Sequence, residues 1–351
     1  MGFIDEQLDA ILAAGVPGVA VLAGDVAAAA GVADVRTGEP LTVDHRFRIG
    51  SVTKIFVAAL ALRLVADGVL DLDAEAAPFV DGITIRQLLN HTSGLDGPDL
   101  SPEFWEPYRA DPLHRWELST ADELALALQK ERLFPPGEGW AYHGANYLTL
   151  RLVIEQATGV TLRESLHEHV FAPLGLEKTD LVEESLGGDC AHGYLPGDNP
   201  ILPAQSESAQ SEYVDVTGLD LPLYRAGGGI VSTPREVATL LRALLGGDLI
   251  PADLRAEMLD AVPSDWAETD RYGLGIGEIT AVMGGERSSC GPAWGHLGFS
   301  VGYTAIALAS EDGERHVVIC ANGHPVTEET EAAFFAAAGR LAWQLYCCTA
   351  T

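Results

Sequence analysis

The chain has 351 residues, which is enough for one large domain or two moderate ones. Its composition, 47% hydrophobic and 21% charged, is typical of a soluble globular protein, and no apolar run reaches the roughly 20 residues needed to span a membrane. A formal net charge of −30 argues against binding to nucleic acid or to an anionic membrane surface.

The N-terminal part is predicted to form a helix, a hairpin and a second helix. Apolar residues recur at helical spacing near the N-terminus, and two apolar runs, 16–23 and 26–35, flank the turn signal Gly24-Asp25. An almost continuous apolar run follows Ser51 and ends at Gly68, a residue type that often follows a helix C-terminus. Because this helix is apolar on every side, we expect it to be buried.

The middle of the chain is predicted to be mostly helical, and the last third mostly strands. Apolar periodicity and capping residues indicate helices at 83–89, from Thr120, at 147–159, from Thr161, from Thr233 to Gly246 and after Thr327. Strands are predicted at 272–280, 302–310 and 315–321, whereas 96–118 and 183–224 are loop-rich or poorly periodic.

Strands therefore lie at both ends of the chain, with helices between them. The simplest arrangement is an α+β fold in which 1–70 and 225–351 share one antiparallel sheet covered by helices. Residues 71–224 would then form a mostly helical inserted domain.

Ser51 and Lys54 are the first candidates for chemistry. Residues three apart lie on one face of a helix, so the hydroxyl and the ammonium group should be neighbours. Lys54 is one of three lysines, and the other 18 basic residues are arginines (21 − 3). Lysine changes its pKa readily on burial whereas arginine stays charged, so this lysine is suited to activate a serine nucleophile. The alternative is a lysine that snorkels from the helix end.

Two further motifs complete a pattern. Tyr142 follows a Pro-Pro-Gly turn, and Gly295-His296-Leu297-Gly298 begins a predicted strand. With Ser51-x-x-Lys54, in this order and spacing, they resemble the serine β-lactamase and penicillin-binding-protein family. The branch that looks most similar contains the class C β-lactamases, the soluble DD-carboxypeptidases and related esterases and acyltransferases. Four further segments carry the resemblance: 47–54, 70–73, 88–95 and 228–233.

The resemblance implies a fold, a site and a role for each motif. The fold would be a five-stranded antiparallel sheet flanked by helices, with the site in a groove beside the helical domain. Ser51 would be acylated, and Lys54 and Tyr142 would remove its proton and return it to the leaving group. His296 would hydrogen-bond to Tyr142 and tune its pKa. The backbone N–H groups of Ser51 and Phe299 would form the oxyanion hole.

Several positions depart from the family pattern. Gly144 stands where the family has the asparagine of Tyr-x-Asn, and Asn146, two residues on, is poorly placed to replace it. Leu297 and Phe299 stand where small or hydroxylated residues are usual, and the strand from Tyr272 to Glu278 lacks the arginine of the soluble DD-carboxypeptidases. A site without those donors binds a substrate carboxylate poorly. The candidate substrate-binding positions are Gly144, Asn146, Leu297 and Gly298.

The stretch around His91 also belongs to the resemblance, and in the family it supports the site without taking part in the chemistry. The five cysteines fit no zinc pattern. Cys290 could form one bridge with Cys347 or with Cys348, and soluble secreted family members have a bridge in a similar place.

We therefore expect a serine acyl-enzyme hydrolase or acyltransferase that acts on an ester, thioester or amide/peptide bond of a small-molecule or peptide substrate. We expect no cofactor, no metal and no membrane or nucleic-acid partner, and the oligomeric state stays open. One alternative is a DD-carboxypeptidase or β-lactamase. Another is a non-catalytic penicillin-binding-like sensor, which stays open because Gly144 replaces the family's asparagine. Since the first residues lack the features of a signal peptide, we expect a cytoplasmic protein, or a secreted one if a leader has been removed.

Overall fold

The computed structural model describes residues 2–97, 119–182, 186, 188–197, 199, 212–219, 226–266, 269–283, 285, 287–325 and 327–348. The loop-rich segment predicted at 96–118 falls largely outside these residues. About half of the poorly periodic segment 183–224 is described, and it contains two short strands. Within them, no helix is long and apolar enough to cross a bilayer.

The N-terminal part has the predicted helix, hairpin and buried helix. The elements are α1 (Phe3–Ala13), β1 (Gly18–Ala23), β2 (Val26–Asp34), β3 (Glu39–Pro40), β4 (Phe47–Arg48), a 3₁₀ turn (Gly50–Val52) and α2 (Thr53–Ala66). In α2, 11 of 14 residues are buried, as its uniformly apolar sequence predicts.

The middle of the chain is mainly helical. Its helices are α3 (Ile85–Leu89), α4 (Thr120–Ala127), α5 (Ala145–Thr158), α6 (Leu162–Leu166), a π-helical turn (His167–Phe171) and α7 (Ala172–Leu174). Gly159 ends α5 in the left-handed conformation. Short strands follow: β5 (Asp180–Leu181), β6 (Tyr194–Pro196), β7 (Tyr213–Asp215) and β8 (Ile230–Ser232).

The last third returns to the main sheet. It consists of α8 (Pro234–Gly246), α9 (Ala252–Leu259), β9 (Val262–Pro263), β10 (Arg271–Tyr272), β11 (Gly277–Ile279), β12 (Ala293–Ser300), β13 (Tyr303–Ala309), β14 (His316–Ala321) and α10 (Glu328–Cys348). A single strand was expected at 272–280. Instead, a turn with Gly275 at φ +76° separates β10 from β11, and in this turn the Leu274 N–H donates to the Met258 carbonyl oxygen and the Gly275 N–H to the Leu89 carbonyl oxygen, both at 3.0 Å.

The main sheet joins the two ends of the chain, as expected, and its pairs are antiparallel. Its strand order is β3-β2-β1-β14-β13-β12-β11-β10-β9, so it has nine strands rather than five. The five longest strands are adjacent, and the extra ones have two or three residues each and lie at the edges. The predicted α+β, β-lactamase/transpeptidase-like class is confirmed, while the boundaries at about 70 and 225 stay a prediction.

The two faces of the sheet bury separate apolar clusters. Side chains alternate between the faces of a strand. Ala20 and Leu22 of β1 therefore pack in the cluster that contains α2 and α8, whereas Val19 and Val21 pack in the cluster that contains α1 and α10. A disulfide between Cys290 and Cys347 ties the segment before β12 to α10 and leaves Cys348 exposed.

Candidate active site

Ser51 and Lys54 meet at the start of α2, as their spacing predicts. Lys54 Nζ lies 3.3 Å from Ser51 Oγ and donates a hydrogen bond to the Gly227 carbonyl oxygen at 2.8 Å. The Lys54 side chain is only 4% exposed, and burial lowers its pKa from 10.5 to about 7. A large fraction of Lys54 is therefore neutral near pH 7, which is the form that accepts a proton.

The turn that carries Ser51 lies directly against β12. Gly50 has φ +51°, and a Cβ there would come within 2.5 Å of the Phe299 backbone nitrogen. A Cβ on Gly298 would come within 2.0 Å of the Ile49 carbonyl oxygen. Both positions need glycine because the two backbones touch. The two segments that carry the predicted oxyanion donors, Ser51 and Phe299, are thus in contact.

The Tyr142 ring packs against other aromatic rings. The His91 ring centroid is 4.4 Å away, and Trp266 stacks on Tyr142 at 5.4 Å with an interplanar angle of 12°. Lys54 Nζ lies 4.8 Å from the Tyr142 ring centroid. Tyr142 is therefore fixed beside the lysine. Trp266 belongs to no motif and lies far along the chain, so sequence reasoning missed it.

His296 is completely buried and neutral. Burial first, and the nearby Lys54 charge second, lower its pKa to about 3. Its Nδ1 contacts the Leu297 carbonyl oxygen, which only accepts, so Nδ1 carries the ring proton and Nε2 is an acceptor. The Tyr142 hydroxyl lies 3.5 Å from this Nε2, and the Tyr272 hydroxyl lies 3.1 Å from it. Sequence reasoning missed the second phenol.

Only some of the predicted substrate-binding positions lie where a substrate could reach them. Gly298 lies at the contact with the Ser51 turn, and Gly144 is the N-cap of α5. Leu297 is 1% exposed and packs in the cluster on the far face of the sheet, because alternate residues of β12 face opposite sides. Its side chain is therefore not available to a substrate, contrary to expectation.

Asn146 also differs from the expectation. It is completely buried, its side-chain amide donates to His91 Nδ1 at 2.9 Å, and its side-chain oxygen accepts from Ser93 at 2.5 Å. His91, whose ring packs against Tyr142, has φ +62°, a conformation uncommon outside glycine. Asn146 therefore holds the supporting network around His91 rather than facing a substrate.

Over the described residues, no cluster of three or more histidine, cysteine, aspartate or glutamate side chains is arranged to hold a metal ion. The chemistry available to this arrangement is that of a serine nucleophile with a neutral lysine beside it, a fixed phenol, and backbone N–H groups close to the nucleophile.

The fold and the site define a serine acyl-enzyme hydrolase or acyltransferase of the β-lactamase-like class. The comparisons agree, since the family model described as Beta-lactamase matches residues 4–341, and the chain belongs to this family. Esterase EstB of Burkholderia gladioli is 30% identical over 297 residues, which cover 73% of this chain and 71% of the esterase.

Penicillin-binding protein 4* of Bacillus subtilis is 25% identical over 334 residues, covering 90% of this chain and 69% of that protein. Among solved structures, the D-amino acid amidase from Ochrobactrum anthropi SV3, in complex with L-phenylalanine amide, superposes with a TM-score of 0.81 at 26% identity. That match covers 98% of this chain and 96% of the amidase.

Proposed function

We propose that this enzyme hydrolyses amides or esters of amino acids that carry an amino group and no free carboxylate, of the D-amino acid amide class. The named activities of the structural neighbour and of the esterase relative support this class. Such a substrate is a cation at neutral pH, and it suits a chain with a net charge of −30.

The observation that carries the proposal is the orientation of β12. Leu297 and Phe299 turn toward the far face of the sheet, where Leu297 is buried and Phe299 packs against Phe335 and His324. At these two positions only backbone groups face the groove, and no side-chain hydroxyl does. A carboxylate would lack the donors that a site built for it supplies, whereas an amide or ester needs only the backbone donors.

The first half-reaction follows from the geometry at Lys54. Neutral Lys54 accepts the Ser51 hydroxyl proton while Ser51 Oγ bonds to the substrate carbonyl carbon. The carbonyl oxygen becomes an oxyanion, and the backbone N–H groups of Ser51 and Phe299 donate to it. The hydrogen bond from Lys54 Nζ to the Gly227 carbonyl oxygen keeps the amine aimed at Ser51 throughout.

Collapse of the oxyanion breaks the bond to the leaving amine or alcohol. The leaving atom takes a proton from the Tyr142 hydroxyl, and Lys54 returns its extra proton to Tyr142. In the second half-reaction, water gives a proton to Lys54 and attacks the acyl carbon. The bond from the acyl carbon to Ser51 Oγ then breaks, and Lys54 returns the proton to Ser51 Oγ. Replacing water with another nucleophile gives transfer in place of hydrolysis.

The test is intact mass spectrometry of the protein with matched D- and L-amino acid amides, amino acid esters, D-alanyl-D-alanine peptides and β-lactams. We expect an acyl adduct that turns over with the D-amides or esters, and none with Ser51→Ala. Lasting adducts or turnover only with β-lactams or D-alanyl peptides would favour a DD-carboxypeptidase or β-lactamase. Failure of a fluorophosphonate to label Ser51 would refute the assignment of the nucleophile.

A further inference from the structure

Tyr272 is a buried phenol at the centre of the site that no motif includes. It lies on β10, and its side chain is completely buried. Its hydroxyl lies 3.1 Å from His296 Nε2, whereas the Tyr142 hydroxyl lies 3.5 Å from the same atom. Burial raises the Tyr272 pKa well above 10.0, so the group is a neutral phenol with one proton to donate.

His296 cannot satisfy both phenols equally. Its Nδ1 proton is directed to the Leu297 carbonyl oxygen, so Nε2 presents a single lone pair. Two hydroxyl groups approach that lone pair, and both must act as donors. A hydroxyl proton held by Nε2 is a proton directed away from the substrate.

The neighbouring phenol of Tyr147 is directed elsewhere. Its hydroxyl donates to the Leu89 carbonyl oxygen at 3.5 Å, so the hydroxyl groups near Nε2 are those of Tyr142 and Tyr272.

We propose that Tyr272 is a positioning residue: its hydroxyl occupies the His296 lone pair and so directs the Tyr142 proton to the leaving group. This inference rests on the proposed acyl-transfer function. The expected role of His296 was a hydrogen bond to Tyr142. In this proposal His296 accepts from Tyr272 instead, and the Tyr142 proton stays available to the leaving group. Removal of the Tyr272 hydroxyl opens Nε2 to Tyr142 and withdraws that proton from the substrate.

The experiment compares two substrates that share one acyl group in Tyr272→Phe. A p-nitrophenyl ester releases a stable anion and needs little protonation, whereas the matching amide or methyl ester must be protonated as it leaves. We expect kcat/KM to fall about tenfold or more on the amide or methyl ester and less than about threefold on the aryl ester.

Two controls separate positioning from packing. Tyr346→Phe removes another buried hydroxyl, which donates to the Pro292 carbonyl oxygen at 3.0 Å in the cluster on the far face of the sheet. It should leave the ratio of the two activities as in the wild type. A fluorotyrosine at position 272 keeps the shape and the donor, and it should restore the wild-type ratio even if Tyr272→Phe lowers the melting temperature.

An equal loss on both substrates, or no loss, overturns the positioning role, as does a failure of fluorotyrosine to restore the ratio. These outcomes leave the proposed function standing as long as the wild-type enzyme turns over the aryl ester and a fluorophosphonate labels Ser51. Absence of both signals in the wild type counts against the proposed function itself.

Discussion

Gly298→Ala tests whether contact between β12 and the Ser51 turn builds the oxyanion hole. An alanine Cβ would lie 2.0 Å from the Ile49 carbonyl oxygen and 3.1 Å from the Val52 nitrogen. Since a carbon–oxygen contact is comfortable at about 3.3 Å, the two segments must separate by roughly 1 Å. Ile49 directly precedes the turn that carries Ser51, and Phe299 directly follows Gly298. The separation therefore displaces the backbone N–H groups of Ser51 and Phe299, the two proposed oxyanion donors.

A displacement of about 1 Å at a reacting centre costs on the order of 10²-fold, and loss of one oxyanion donor costs about 10²–10³-fold. We expect kcat/KM of Gly298→Ala on an aryl ester to fall by about 10²–10³-fold, with a loss of stability of about 1–3 kcal/mol from overpacking. Steady-state kinetics, the rate of fluorophosphonate labelling and the melting temperature measure these effects.

Gly339→Ala is the matched control. Gly339 lies within α10, and a Cβ there would meet its nearest neighbour, Val282 Cβ, at 3.5 Å, an ordinary contact. Its activity should stay within about twofold of the wild type, and its stability should be equal or higher because alanine favours helix. Should Gly298→Ala keep activity within about threefold at a native melting temperature, the contact would not be what positions the oxyanion donors.

Three further changes test other parts of the site. Because Lys54 has a pKa of about 7 and must be neutral to accept a proton, kcat/KM on an uncharged ester should fall about tenfold per pH unit below pH 7 and level off above it; a flat profile would exclude Lys54 as the base. Trp266→Ala should lower kcat/KM about three- to tenfold by removing the ring stacked on Tyr142, whereas Trp266→Phe should keep most of the activity; equal losses would contradict a stacking role. Asn146→Ala should lower the free energy of unfolding by about 1–3 kcal/mol, since it leaves His91 Nδ1 with only the longer hydrogen bond from the His143 N–H, and KM should stay within about twofold; a raised KM at unchanged stability would return Asn146 to substrate binding.

The sequence pattern predicts those parts of the fold and the site that depend on residues close together in the chain. The apolar run after Ser51 predicts a buried helix, and the three-residue spacing brings Lys54 to Ser51, because both follow from helix geometry. The first hairpin was also predictable, since its strands pair across a short turn. The break between β10 and β11 was not, since its backbone N–H groups bond to Met258 and Leu89, which lie far away in the sequence or on another element.

The sequence by itself predicted the proposed nucleophile Ser51 and its neighbour Lys54 and indicated the family, because these rest on spacing and on motif order. Only the tertiary structure decided which groups surround Tyr142 and His296. Trp266 and Tyr272 reach the site from segments without a motif, and their roles depend on ring distances and on the Nε2 lone pair. The structure also turned Leu297 away from the groove, since the side of a strand that faces the core depends on the helices packed against each face of the sheet.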